Sequence, residues 1–369
     1  MRNGMRVVDT DTHQMEPISI WTDYIEPKFR DRAPTSVTTH GHPSMVVEGE
    51  KVVSEGNYPM SPPEFIAAVN NAMKRFKRAA DGKYAPKTRI MDMDDHGVDV
   101  QIIYPTRGGQ ILGKPFKDTE LLSACCQAYN KWSMEFCSED PTRLRWAAML
   151  PLQDPKLAIQ EAKRAAEDGC VSFYLRPNPV ENRNLYHSDY DPLWETIQKL
   201  DLPICLHDSG SPVLPSYGDR METHVTGHII AHPFEAMVAM MSIIWYGVLE
   251  RFPELTVVHV EADAGWLPYW LQRMEQHWDF SGNAEHPELK LRPTDYFKRQ
   301  VYVAARGDEM TLPAAVELVG EDNILFNTDY PHPDGTFPWG FGKFEEQKLS
   351  DVVKRKILWD NAANAFNLT

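Results

Sequence analysis

The sequence predicts a single (β/α)8 TIM barrel over residues 1–369, with a long insertion after the first strand. Three observations predict it. Eight short apolar runs recur along the chain, helical patterns lie between most of them, and one stretch breaks that rhythm. The strand candidates are Arg6–Thr12, Val98–Tyr104, Leu144–Leu150, Cys170–Leu175, Pro203–Leu206, Leu255–Val260, Gln300–Ala304 and Ile324–Thr328. Most are continuous rather than alternating, as strands buried on both faces must be. Helical patterns fall at Lys117–Glu139, Pro155–Asp168, Pro192–Leu200, Phe234–Glu250, Trp266–Trp278 and Leu312–Val319. The exception runs from about Pro27 to Pro86 and is rich in Pro, Gly, His and charge. A hairpin around Met45–Val53 and a helix over Pro63–Ala80 are predicted within it. Loops that follow barrel strands sit at the catalytic end, so this insertion is expected over the barrel mouth or in a subunit interface.

Bulk properties narrow the function. Apolar residues make up 42 % of the 369, enough for a large core, and the net charge is −15. An acidic surface repels phosphate backbones and anionic lipid, which argues against nucleic acid and membrane partners. The most apolar helix pattern, Ala236 to Val248, is too short to span a bilayer and reads as a buried helix. No basic stretch leads into an apolar run at the N-terminus, and the five cysteines show no disulfide-like spacing. A cytoplasmic location is the expectation.

Chemistry enters at the strand ends. The first strand reads VVDTDTHQMEP, and alternation puts Asp9, Asp11 and His13 on one face, the barrel interior. Polar groups there are costly unless paired or bound to a cation. Strand 5 ends LPICLHD and places His207 at its tip; strand 8 ends ILFNTDYPHPDG and places Asp329 at its tip. Strand 6, LTVVHVEADAGW, carries His259 and Glu261 on one face by the same alternation. Neutral imidazoles and carboxylates converging at a barrel mouth form the donor set of a catalytic divalent metal.

These segments resemble the branch of the amidohydrolase superfamily that includes the aminocarboxymuconate-semialdehyde and hydroxybenzoate decarboxylases. The carriers are DTDTHQMEP, RIMDMDDHGVDVQIIYPT, RLRWAAMLPLQDP, LRPNP, YDPLWETIQKLDLPICLHDSGSP, HIIAHPFEAM, GVLERFPELTVVHVEADAGWLPYWLQRMEQH, ILFNTDYPHPDG and KILWDNAANAF. The resemblance implies that Asp11, His13, His207 and Asp329 bind a metal. Two positions depart from the better-known members. The first ligand is Asp11 rather than His, and Glu261 stands where the decarboxylases carry a catalytic His. A harder, more anionic site favours Zn, Mn or Fe with oxygen-rich coordination. Glu261, with Glu16 or His232 beside it, is a candidate bridge to a second ion, so one ion or two stays open.

Asp329, Glu261, His259 and His232 are the catalytic candidates, with a core role for His259 as its alternative reading. Arg176 and Tyr174, in YLRPNP, are candidates for gripping a substrate carboxylate, and Arg176 also reads as a structural ion pair. His228 and His232 lie four apart and share a face if helical. His332 is expected to orient Asp329. The leading functional expectation is a hydrolase that attacks a small organic substrate through a metal-activated water. The alternatives are non-oxidative decarboxylation of an aromatic or unsaturated acid, oxygenation at a dinuclear Fe or Mn site, and a non-catalytic barrel subunit. Family habit and the apolar helix suggest a homo-oligomer or a pair with a paralogous subunit.

Overall fold

A computed structural model describes residues 1–39, 42–52, 63–208 and 216–368. Eight parallel strands form the barrel: β1 (Val8–His13), β5 (Val100–Tyr104), β6 (Leu144–Met149), β7 (Ser172–Leu175), β8 (Ile204–Leu206), β9 (Val257–His259), β10 (Val301–Arg306) and β11 (Ile324–Asn327). Each pairs with the next in chain order, and β11 returns to β1 where Asp329 N donates to Asp11 O at 2.9 Å. All eight coincide with the predicted strands to within a few residues at each end.

The intervening β2 (Thr35–Thr39), β3 (His42–Val47) and β4 (Glu50–Lys51) make a separate antiparallel sheet in the insertion. The predicted hairpin at Met45–Val53 lies within it, apart from Val53, which is outside the described residues, as are 40–41 and 54–62 of the insertion. A helix follows, α1 (Pro63–Met73). The first helix of the barrel proper is α2 (Pro86–His96), which the sequence reading left unassigned. It starts at Pro86, whose missing N–H costs nothing in a first turn, and stops at Gly97, where φ is +73°. The barrel helices then run α3 (Arg107–Leu112), α4 (Thr119–Cys137), α5 (Pro155–Glu167), α6 (Asp191–Leu200), α7 (His224–Trp245), α8 (Leu267–His277), α9 (Pro293–Gln300) and α10 (Leu312–Val319). Asp118 and Asp154 start α4 and α5 by accepting from backbone N–H groups of the first turn.

Alternation sorts each strand between two cores. Ile102, Tyr104, Met149, Tyr174, Cys205 and Val258 fill the barrel. Ile103, Ala148, Leu175, Leu206, Val257 and Val303 pack outward against the helices. Two predicted alignments are corrected by this sorting. Between Asp9 and Thr12 β1 takes three steps while β5 takes two, from Gln101 to Ile103. The extra residue is a bulge that reverses the face of everything after it. Asp11 and His13 therefore face the interior, but Asp9 does not join them. It faces β11, where its carboxylate accepts from Thr328 N at 2.8 Å and Thr328 Oγ1 at 2.5 Å. Burial pushes Asp9 up to about 8 against those two hydrogen bonds.

His259 is the second correction. It is in register with Leu206 and Val303, both on the outer face, and its ring lies edge-on to Trp266 with centroids 6.3 Å apart. It belongs to the layer between sheet and helices. Glu261 shares no face with it, because the strand has ended and Glu261 takes a left-handed φ of +56°.

The helix predicted from the apolar run Ala236–Val248 is longer than expected. α7 spans 22 residues, and Val225–Trp245 is long and apolar enough to cross a membrane by length and composition. Ala236, Ala239, Met240, Ile243 and Ile244 are buried, so its second half is a wall of the barrel.

Candidate active site

The C-terminal ends of four strands bring together Asp11, His13, His207, Glu261 and Asp329. His13 Nε2 lies 3.2 Å from Asp11 Oδ1, 3.4 Å from Asp329 Oδ1 and 3.1 Å from His207 Nε2. His207 Nε2 lies 3.6 Å from Asp11 Oδ1 and 3.2 Å from Glu261 Oε2. Asp329, like Glu261, has φ of +56°, and this backbone turn past the strand aims its carboxylate across the mouth.

Hydrogen bonds behind the two imidazoles fix their state. His13 Nδ1 is 3.0 Å from Pro105 O, and His207 Nδ1 contacts Asp208 O. A carbonyl only accepts, so each Nδ1 carries the proton and each Nε2 presents a bare lone pair. Burial and the neighbouring His332 hold His13 down at about 3, so it stays neutral. Two lone pairs face each other across 3.1 Å, flanked by carboxylate oxygens. Both oxygens of Asp11, which is 0 % exposed, have no hydrogen-bond donor among the described residues. Only a cation among them turns this arrangement from repulsive to attractive. Ligands about 2.1 Å from a metal stand roughly 3.0 Å apart in octahedral and roughly 3.4 Å apart in tetrahedral geometry. Three of the observed separations, 3.1, 3.2 and 3.4 Å, fall in that range, and the fourth, 3.6 Å, lies slightly beyond it.

His332 stands behind this group. Its Nδ1 is 2.8 Å from Asp329 Oδ1, its Nε2 is 3.0 Å from Thr106 Oγ1, and its ring stacks on His13 at 4.0 Å. Burial pulls the His332 imidazole down, but the carboxylate of Asp329 outweighs it, and the ring titrates at about 9. Burial, partly offset by His332, raises Asp329 to about 6. On the other side, His232 and His228 approach Glu261 from α7. His232 Nδ1 is 3.2 Å from Glu261 Oε2, and His228 Nε2 is 3.7 Å from Glu261 Oε1 and 3.5 Å from Asp334 Oδ2. Burial, with Asp329 and Asp11 adding like charge, pushes Glu261 well above the carboxylate range.

Three candidates from the sequence lie elsewhere. The Glu16 carboxylate accepts from the backbone N–H groups of Thr106, Arg107 and Gly108 at 2.9, 3.0 and 3.3 Å. It caps the start of α3 rather than reaching an ion, because a helix N-terminus attracts a carboxylate and supplies free donors. Arg176 pairs with Asp208 Oδ1 at 2.5 Å and reaches Asn178 Oδ1 at 3.1 Å, both buried. Tyr174 fills the barrel beneath His207, with ring centroids 5.6 Å apart. Neither lines the cavity above the histidines; strand position alone does not distinguish the layer below the mouth from the mouth itself.

That cavity has a volume of about 710 Å³, within the usual range for a small-molecule site. His13, His207, Glu261 and His332 form its polar side. Phe65, Ala68, Val69 and Ala72 of α1 and Val225 and Ile229 of α7 form the apolar side. The insertion thus contributes a wall at the mouth. Sequence reading missed Thr106 and Asp334, although PHPDG already hinted at a second carboxylate beside Asp329. The family motif stretch at 209–212 lies outside the described residues.

The sequence model described as Amidohydrolase matches residues 37–368. A gamma-resorcylate decarboxylase from a Polaromonas species is 30 % identical over 296 residues, covering 76 % of this chain and 86 % of the relative. A 2-amino-3-carboxymuconate-6-semialdehyde decarboxylase from Dictyostelium discoideum is 27 % identical over 303 residues, 80 % of either chain. Among solved structures, an amidohydrolase from Mycobacterium avium subsp. paratuberculosis superposes with a TM-score of 0.79 at 23 % identity, covering 98 % of this chain and 99 % of that one. A Polaromonas dihydroxybenzoic acid decarboxylase, with bound manganese and the inhibitor 2-nitroresorcinol, superposes at 0.68 and 22 % identity, covering 99 % and 97 %. The two structural likenesses carry the barrel; the family match carries the classification. The chain belongs to the amidohydrolase family.

Proposed function

We propose that this enzyme is a metal-dependent, non-oxidative decarboxylase of a small aromatic or unsaturated carboxylic acid. The observation that carries the reading is the pair of bare Nε2 atoms, with Asp11 and Asp329, at the floor of a cavity whose opposite wall is apolar. Asp11, His13, His207 and Asp329 would hold the ion, and manganese would fit their mixed carboxylate and imidazole donor set. A bound ion would supply Lewis acidity toward the substrate carboxylate.

The chain's own residues then move one proton. Asp329 delivers a proton to the ring carbon that bears the carboxylate. The bond to CO2 breaks, and its electron pair returns to the ring. His332, 2.8 Å from Asp329, reprotonates it and refills from solvent through the cavity. The overall change consumes one proton and releases CO2. The apolar side chains of α1 and α7 hold the ring and exclude water.

The sequence reading placed hydrolysis first. The activities named for the relatives support its decarboxylase alternative instead. A proton donor beside the ion also suits decarboxylation better than water attack, which needs a base. The test is a panel of 2-hydroxybenzoates and 2,6-dihydroxybenzoate given to manganese-loaded protein in D2O. Release of CO2 with one deuterium at the vacated carbon is expected. An inert panel, with turnover of esters or amides, overturns the proposal.

A further inference from the structure

We infer that a second divalent cation binds beside the first, held by His228 and His232 of α7, Glu261 and Asp334. This goes beyond the decarboxylase reading, which uses none of these four residues. Their ligand atoms form two groups, His228–His232–Glu261 and Glu261–Asp329–Asp334, each within 4.8 Å. Three features of the chain point to an ion there.

The first is His232. It is 6 % exposed, and neither ring nitrogen makes a hydrogen bond among the described residues. A buried imidazole that makes no hydrogen bond, with its Nδ1 3.2 Å from Glu261 Oε2, is placed as a metal ligand is. The second is spacing. His228 Nε2 to Glu261 Oε1, His228 Nε2 to Asp334 Oδ2, and His232 Nδ1 to Glu261 Oε2 are 3.7, 3.5 and 3.2 Å. The 3.2 Å separation falls within the spacing of ligands around one ion, and 3.5 and 3.7 Å lie slightly beyond its tetrahedral value. His228 and His232 stand one turn apart on α7 and present adjacent rings, 4.1 Å between centroids.

The third is charge. Asp11, Asp329, Glu261 and Asp334 are paired only with histidines among the described residues, with no Lys or Arg in ion-pair range. Four ionised carboxylates, less one charge for a protonated His332 beside Asp329, still exceed what a single divalent ion offsets. Glu261 joins the two centres, because its Oε2 is 3.2 Å from His207 of the first set and 3.2 Å from His232 of the second. It therefore bridges. A mixed nitrogen and oxygen set of this kind takes first-row ions such as Mn, Fe or Zn.

The test is metal stoichiometry. Metal-free protein is titrated with Mn(II), desalted and measured by mass spectrometry of the metal, with electron paramagnetic resonance at each step. Two ions per chain are expected, with the six-line spectrum of isolated Mn(II) giving way to an exchange-coupled one as the second equivalent binds. The double variant His228→Ala/His232→Ala should hold one ion and keep the six-line spectrum at saturation. Should that variant misfold, His232→Gln alone is expected to weaken the second ion at least tenfold. Saturation of the native protein at one ion per chain, or two coupled ions in a folded double variant, overturns the inference. The readout separates it from the decarboxylase reading. Two ions with no CO2 release defeat that reading and leave this inference standing, whereas CO2 release from protein saturated at one ion does the reverse.

Discussion

Removing the metal should cost this protein measurable stability, and the structure sets the size. Without an ion, Asp11 keeps both oxygens buried and without donors, and the His13 and His207 lone pairs face one another. An ion that binds only the folded state adds about 2.7 kcal/mol at a hundredfold excess over Kd and about 4.1 kcal/mol at a thousandfold excess. Unfolding entropy of roughly 2.1 cal/mol/K per residue, over 369 residues, gives about 0.8 kcal/mol/K for the chain. The melting temperature should therefore rise by about 3 to 5 °C between chelator-treated and Mn(II)-saturated protein. His207→Ala removes a donor from the centre of the cluster and should shrink that rise to below about 1 °C, since the remaining set is open on one side. Differential scanning calorimetry on the two proteins, each with and without metal, reads all four values. A native protein that melts alike in both conditions, or a His207→Ala variant that keeps the full rise, would refute the assignment of these residues to an ion.

Three further outcomes follow from particular side chains. Val69→Trp should fill the apolar half of the cavity, raising KM at least about tenfold by steric exclusion while metal content stays unchanged; unchanged KM would remove α1 from the substrate site. His259→Leu replaces a buried imidazole that lacks a partner among the described residues, so turnover should match the native enzyme and stability should hold or rise; lost turnover would return His259 to the mechanism. Glu235 is raised to about 7 by burial, against an ordinary value of 4.5. Its neutral form favours the fold below pH 4.5, and that advantage is lost as pH rises through about 7. Glu235→Gln should therefore melt higher than native at pH 8 and equally at pH 4, by thermal melts at both; equal melts at pH 8 would contradict a carboxyl whose ionisation the fold disfavours.

Much of the barrel was legible because buried parallel strands write themselves as apolar runs. The helices α4 to α8 and α10 were legible through periodicity and through starts such as Asp154–Pro155. Helix α2 was missed because its pattern, PKTRIMDMDDH, is mostly charged and buries only Arg89 and Met93. His207 and Asp329 were placed at the barrel mouth from sequence because each follows the end of a strand run. The misplacements came from counting residues as though every strand alternated without interruption. Glu16 is a different case: nothing local shows that a carboxylate three residues past His13 will meet the N-terminus of a helix ninety residues later.

The bulge in β1 shows how narrow that margin is. Regular alternation starting from Val8, which faces the interior opposite Val100, would send Thr10 and Thr12 inward and Asp11 and His13 outward. One extra residue between Asp9 and Thr12 reverses this. The two threonines turn their hydroxyls to neighbouring strands, with Thr10 donating to Phe326 O at 2.9 Å and Thr12 to Ile102 O at 2.8 Å. Those bonds satisfy the polar side chains the bulge displaces and pin the reversed face in place. The left-handed turns at Glu261 and Asp329 do the same work at the other ends of the site, each where alternation has run out. Such conformations cost of order 1 kcal/mol or more for a residue with a β-carbon. Three departures from regular strand geometry on three strands, all aiming carboxylates at two bare imidazole nitrogens, are unfavourable one by one. They become favourable together once a cation occupies the point on which they converge.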